Sequence, residues 1–360
     1  MRLLSLPTRM ILRLHLRVIG FVMFTLLVVA YSIDLPHVWP DLKAQGGIAT
    51  LRYLAYRGAD IVARLLPMAC LAGAFFAELL RRQRLEPVIL SAAGASPLVM
   101  LRALALAGLL LGGLQLALEV RLRPAAVFAQ VEMGLGRYAS RFAPGLTDPQ
   151  WIVTENRAIR ARMARGGAPE MRDVMLFTGL DGAGLQSVVT ARLATPVAQA
   201  EWRLQQVTEW RAGPDGRLAP HQSTEKVVQI PLSAAHLRYY GVPALYLPQP
   251  ALRQVLDTAG APAPHDARTA LLRRYAALFL PGICALLGAA LGQVAWRARK
   301  LDPFRAVGLA ALGYVSVVSV KIFWALGEFA AIPPLWAAFG GATWMAVLAS
   351  ALMLRQRAGP

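Results

Sequence analysis

Glu86 stands in the run Leu80-Arg81-Arg82-Gln83-Arg84-Leu85-Glu86-Pro87-Val88-Ile89-Leu90-Ser91-Ala92-Ala93-Gly94-Ala95-Ser96, with three arginines before it and a short apolar stretch after it. Pro87 suits the first turn of a helix, where its missing N–H goes unused. The Glu86 carboxylate then lies at the positive end of that helix, where an acid is stabilised. Gly94 and Ser96 break the helix. One acid, an apolar face including Leu90 and a basic flank at Arg84 make a shape that can fill a partner's groove. The same shape suits an amphipathic loop resting on lipid headgroups, and spacing alone leaves both readings open.

A second set of residues is cationic: Lys43, Arg52, Arg57 and Arg64. Guanidinium groups grip phosphate through charge-assisted forks, so this set can contact an anionic headgroup. The alternative is that Arg52 and Arg57 are solvated while Arg64 snorkels to an interface. Lys321 and Glu328 are seven apart and share one helical face; they either pair within the membrane or point into a cavity. Other chemistry is missing from the sequence. It contains no GxxxxGK[ST] phosphate loop, no HExxH and no GxSxG elbow. His15, His37, His221, His236 and His265 are scattered, and no cofactor or metal is expected.

The elements that must carry these residues are mostly membrane spans. A helix needs about 20 apolar residues to cross a bilayer core. Six stretches qualify: Val18–Ile33 (which Leu14 and Leu16 extend), Ile61–Leu80, Pro97–Leu118, Tyr275–Val294, Ala306–Phe329 and Pro333–Leu354. The 360-residue chain is 56% hydrophobic with a net charge of +18. A nucleic-acid partner is not expected, because the arginines flank spans and form no single patch. Arg2, Arg9, Arg13 and Arg17 precede span one, Arg81, Arg82 and Arg84 follow span two, Arg297, Arg299, Lys300 and Arg305 follow span four, and Arg355 and Arg357 follow span six. Six crossings put all four clusters on one side, which the positive-inside rule makes the cytoplasm. Both termini are then cytoplasmic. Tyr31-Ser32-Ile33-Asp34 has no small-x-small cleavage site, so span one reads as retained.

The polar middle, Arg121–Arg274, reads as extracytoplasmic β structure. Strands are expected at Trp151–Val153, Val174–Phe177, Leu185–Leu193, Glu201–Trp210 and Glu225–Ile230. Turn signals separate them at Gly166-Gly167, Gly179-Leu180-Asp181-Gly182 and Gly213-Pro214-Asp215-Gly216. Pro248–Ala259 reads as a return helix ended by Gly260, with Ala261-Pro262-Ala263-Pro264 linking into span four. Cys70 and Cys284 both fall in spans, so the exported domain has no disulfide framework.

The chain resembles the lipopolysaccharide export permeases LptF and LptG. Their coupling helix follows the pattern S-E-L-x-x-x-x-A-x-G, which is similar to Leu85-Glu86-Pro87-Val88-Ile89-Leu90-Ser91-Ala92-Ala93-Gly94. Leu85 replaces the usual Ser, and Pro87 the usual aliphatic residue. Pro67-Met68-Ala69, Leu185-Gln186-Ser187-Val188, Trp202-Arg203-Leu204-Gln205-Gln206-Val207 and Ile332-Pro333-Pro334 resemble further family motifs in the same order. The Trp-Arg-Leu and Ile-Pro-Pro runs look more like LptG.

The resemblance implies an integral membrane α-helical protein, six transmembrane helices arranged 3+3, with an inserted extracytoplasmic all-β jellyroll-like domain. Residues 1–120 would hold spans one to three and a coupling helix at about 82–96, residues 121–270 the periplasmic β domain, and residues 271–360 the last three spans. It implies a non-catalytic subunit in the bacterial inner membrane. Its expected partners are a homologous six-span permease, a cytoplasmic LptB-like ATPase dimer, LptC-like and LptA-like periplasmic jellyrolls, and lipopolysaccharide. The ATPase would bind around Glu86, with Arg84, Pro87, Leu90 and Gly94. Lipid A phosphates would meet Lys43, Arg52, Arg57 and Arg64. Two readings of another class compete: a scaffold of envelope partners, and a lipid-modifying membrane enzyme, for which no nucleophile or metal set is visible.

Overall fold

In the computed structural model, which describes residues 5–96, 98–154, 156–180, 185–212, 218–262, 264–297 and 300–358, the apolar runs become long helices. Arg2, Pro97, Ala263 and Arg299, with the turn residues Asp181-Gly182 and Gly213-Pro214-Asp215-Gly216, lie outside the described residues. The chain forms two compact units, Met1–Val127 with Thr269–Pro360, and Phe128–Arg268.

The first unit is helical: α1 Leu6–Gln45, α2 Gly47–Gln83, α3 Glu86–Ala92, α4 Leu98–Ala117, α5 Arg123–Glu132, α9 Pro264–Ala276, α10 Leu280–Val294, α11 Pro303–Glu328 and α12 Pro334–Ala358. α5 and α9 straddle its limits. A π-turn, Leu118–Leu122, joins α4 to α5. Among the described residues five helices are long and apolar enough to cross a membrane, or six when a bent pair counts as one. That pair is α9 with α10, bent by 59°. The expected fourth span is therefore not one straight helix, and Pro281 lies in the first turn of α10 just after the bend. α1 and α2 far outrun the expected spans. α1 has 40 residues, about 60 Å at 1.5 Å per residue. The two helices meet at Gly46, whose φ of +91° lets the chain reverse.

α2 and α10 form the centre of this unit. Ala63, Leu66, Cys70, Leu71 and Phe75 of α2 pack with Cys284, Leu287, Ala290 and Leu291 of α10. Gly288 makes the seam close: a Cβ there would lie 2.1 Å from the Leu71 carbonyl oxygen. Small residues at such crossings let backbones touch where lipid offers no hydrophobic drive.

The second unit is an antiparallel sheet. Its strands are β1 Gly145–Leu146, β2 Gln150–Val153, β3 Arg157–Arg165, β4 Met171–Thr178, β5 Ser187–Ala198, β6 Glu201–Ala212 and β7 Leu218–Gln229. The order is β1-β3-β4-β5-β6-β7, with β2 also on β3. Short helices accompany it: α6 Gly136–Arg141, α7 Ala234–Arg238 and α8 Gln249–Leu256, shorter than the expected Pro248–Ala259. β3 was not expected, because RAIRARMAR carries so many arginines. Its signal is the alternation itself, with Ile159, Ala161 and Met163 buried between Arg160 and Arg162. Trp202 anchors the core: it is fully buried and its Nε1 donates to the Leu232 carbonyl at 2.8 Å.

A crease crosses the sheet. Asp173 and Gln206 have φ of +52° and +55° in mid-strand. The pairs Arg172–Leu193 and Val174–Ala191 set Asp173 opposite Arg192. Leu193–Gln205 and Ala191–Val207 set Arg192 opposite Gln206. Along this line the inward positions change parity. Trp202 and Leu204 point in on one side of Gln206, and Val207 on the other. A one-residue slip would normally turn a strand's apolar set outward. Here three neighbouring strands slip together and the core stays continuous. A bulge between Arg160 and Arg162 absorbs the change on β3.

Candidate functional site

α3 is the expected docking helix, and it is shorter than the expected span of about 82–96. α2 runs on through Gln83, Arg84 caps it, and Leu85 turns the chain with φ +54° before Glu86 opens α3. Pro87 sits in the first turn as expected. Gly94, at φ +75°, turns the chain again after the helix. No residue of α3 is buried. Leu85, Val88 and Ile89 are 55%, 61% and 62% exposed. Leu90 faces the other way and packs toward Ile11, Leu12, Ala103 and Ala107. Glu86 meets Arg81 Nε at 3.5 Å, and Arg84 is exposed. The segment thus presents an apolar ridge with a half-exposed acid at its start.

The four cations of the second set part company. Lys43, in the last turn of α1, is exposed. Arg52 is exposed and lies over the Tyr56 ring at 5.7 Å. Arg57 does not wait for a ligand: it is buried and bound to Asp34 at 2.6 Å and Asp60 at 3.2 Å. The acids on α1 and α2 outcompete solvent for it, because a buried guanidinium without partners costs several kcal/mol, roughly. Arg64 pairs with Asp60 at 2.8 Å and remains 39% exposed.

Asp60 is the hub that sequence reading missed. It is fully buried, and Arg57, Arg64 and Arg123 all reach it. Arg123 continues to Glu119 at 3.0 Å. The π-turn supplies this geometry, since its extra residue re-aims Glu119 at the helix junction. Gln115 adds a hydrogen bond to Glu119 and another to the Ala63 carbonyl. The available signal was the presence of acids inside or beside apolar spans, where an ionisable group is costly without partners.

Lys321 and Glu328 line one cavity of about 260 Å³, with Arg64, Arg123, Arg273 and Trp324. The expected Lys321–Glu328 ion pair does not form. Seven residues of helix separate their backbones by about 10.5 Å, which shares a face without bringing the charges together. Glu328 instead meets Arg273 at 3.6 Å, and Arg273 lies over the Trp324 ring at 3.6 Å. The cavity therefore mixes cations, acids and an indole.

The resembling motifs fall at structural joints. Pro67 is buried in α2, Trp202 and Leu204 lie in the sheet core, and Pro334 opens α12. Cys70 and Cys284 are buried free thiols. Over residues 9–355 the chain matches the family described as lipopolysaccharide export system permease LptF/LptG. No curated protein matches it.

Proposed function

Because this chain belongs to the lipopolysaccharide export permease family LptF/LptG, we propose that it is the LptG-like half of a permease pair driven by a separate ATPase. The family makes it a multi-pass membrane permease of the lipopolysaccharide export system, not a catalytic subunit. In the finer reading, a homologous six-span chain completes the membrane core and a cytoplasmic LptB-like dimer hydrolyses ATP. Lipopolysaccharide enters sideways from the outer leaflet, and ATPase closure drives it up toward the β domain. That domain joins LptC-like and LptA-like jellyrolls in a periplasmic bridge.

The observation that carries this reading is α3. It exposes Val88 and Ile89 beside Glu86, on a short helix flanked by left-handed residues. Exposed apolar side chains gathered on one short element mark an interaction surface. The arginine clusters support cytoplasmic termini and a periplasmic β domain. For the substrate, Lys43, Arg52 and Arg64 keep exposed charge to offer lipid A phosphates, whereas Arg57 serves the fold.

The test is a pull-down of the tagged chain from membranes, with mass spectrometry of what accompanies it. Recovery of a nucleotide-binding subunit and a second six-span permease is expected. An isolated chain, or one bound only to envelope scaffolds, would contradict the reading.

A further inference from the structure

α3 is set off from the helices on either side by Leu85 at φ +54° and Gly94 at φ +75°. Single left-handed residues reverse the chain without continuing a helix. The seven residues Glu86–Ala92 therefore form a separate rod. Its ion pair among the described residues is Glu86 with Arg81, Oε2 to Nε, at 3.5 Å.

Arg81 looks two ways. Its Nη1 donates to Glu78 Oε2 at 2.7 Å, and the two side chains are 3% and 1% exposed. Arg82 braces the other Glu78 oxygen at 3.7 Å. Glu78 in turn abuts α10: a Cβ on Gly292 would lie 3.0 Å from Glu78 Cβ, and Gln293 lines the same cavity as Glu78, its Nε2 donating to Met100 Sδ. A charged run of Glu86, Arg81 and Glu78 thus leads from the exposed rod to Gly292 in the α2–α10 seam. Beneath the rod a cavity of about 280 Å³, lined in part by Arg81, Pro87, Leu90 and Gln293, leaves it room to move.

The chemistry requires arginine at this joint. A guanidinium spreads its charge over a planar fork, so Arg81 hydrogen-bonds Glu78 through Nη1 while its Nε faces Glu86 at 3.5 Å as a charge contact without a hydrogen bond. A lysine ammonium keeps the charge and loses the directions. Neutralising Glu78 does not by itself account for Arg81, since Arg82 already stands beside that acid. We propose that Arg81 is a positioning residue that ties the ATPase-docking rod to the α2–α10 seam, so that displacement of α3 reaches the spans through the Arg81–Glu78 pair. This rests on the docking role of α3.

The test uses the full permease complex with its ATPase in proteoliposomes, reading lipopolysaccharide released per ATP hydrolysed. The variants are Arg81→Lys and the double change Glu78→Gln with Arg81→Gln, which leaves neither an unpaired Glu78 nor an unpaired Arg81. Both are expected to keep the ATPase subunit bound. Hydrolysis should stay within about two-fold while release per ATP falls about ten-fold in the double variant, and less in Arg81→Lys. A merely structural arginine would lower release and hydrolysis together, in step with the amount of folded complex, and that result overturns the proposal. Should the double variant fail to assemble, Arg81→Lys decides, and an unchanged ratio overturns it. The docking role fails separately, if Glu86→Ala combined with Val88→Asp leaves ATPase binding and stimulation intact.

Discussion

The Arg57 guanidinium donates to both oxygens of the Asp34 carboxylate, Nε at 2.8 Å and Nη2 at 2.6 Å, and so clamps α1 to α2 across their Gly46 turn. Tyr53 adds a hydroxyl to the same carboxylate at 2.9 Å. A two-pronged bond fixes direction as well as distance. It holds two long helices in register beside the buried Val38, Leu42 and Tyr53, and it passes through Asp60 to Arg64 and Arg123.

Replacing Asp60 takes a buried partner from three guanidinium groups at once, although Arg57 keeps Asp34 and Arg123 keeps Glu119. Asp60→Ala is expected to destabilise the helical unit by about 3–5 kcal/mol, the usual consequence of breaking a buried ion pair from one side. Arg52→Ala, at an exposed site, should change the melting temperature little. Thermal unfolding of the two variants in detergent gives the comparison, and equal melting temperatures would refute the hub role of Asp60.

Glu86→Ala should lower lipopolysaccharide export while leaving the melting temperature near that of the unmodified protein, because no residue of α3 is buried. Export measured in membranes and hydrolysis measured on the purified complex separate the two effects. Coupling that survives the change intact would count against α3 as the docking element.

Adjacent glycines in α4 offer a steric control. A Cβ on Gly112 would fall 1.9 Å from the Leu278 carbonyl oxygen, whereas one on Gly113 meets nothing within 4 Å. Gly112→Ala is expected to cost about 1–3 kcal/mol through overpacking. Gly113→Ala should be neutral or slightly stabilising, and matching melting curves would argue against the tight α4 contact.

The β domain should lose stability in mild acid. Burial lowers the His236 imidazole to about 4 from its ordinary 6.5. Its Nδ1 accepts from the Ser233 N–H at 3.1 Å, a bond the protonated ring cannot make. The unfolded chain therefore takes up a proton that the folded one refuses. The contribution is complete above about pH 6.5 and disappears as pH falls toward 4. Its full size is about 3 kcal/mol. The Glu209 carboxylate, held low by the Arg211 hydrogen bond and then by Lys226, loses its share only at lower pH. Melting temperatures of the full chain against pH should slope in that window, and His236→Asn should flatten the slope.

At the crease, Gln206 carries a left-handed backbone that costs an ordinary residue about 1–2 kcal/mol. Gln206→Gly should hold or raise the melting temperature, since glycine removes that strain at some entropic cost. Gln206→Val should lower it. A stabilising valine would show that the strand runs straight there.

What the sequence determined by itself was whatever depends on neighbours in the chain. A span is a local sum of apolar residues, so the apolar stretches were legible, as was a short helix that begins where Pro87 allows it. The runs Val174–Phe177 and Glu201–Trp210, rich in apolar and β-favouring residues and bounded by turn signals, marked strands for the same reason. The tertiary structure alone decided the partners. Nothing local says that Arg57 will spend its charge on Asp34, twenty-three residues back, or that Glu328 will turn from Lys321 to Arg273 on another helix. Nor does local alternation foresee that Asp173, Arg192 and Gln206 shift face together, because a shift in one strand is tolerable only when its neighbours make the same shift. Charge pairing and sheet register are settled between distant segments brought within a few ångströms, and that contact exists only after the chain has folded.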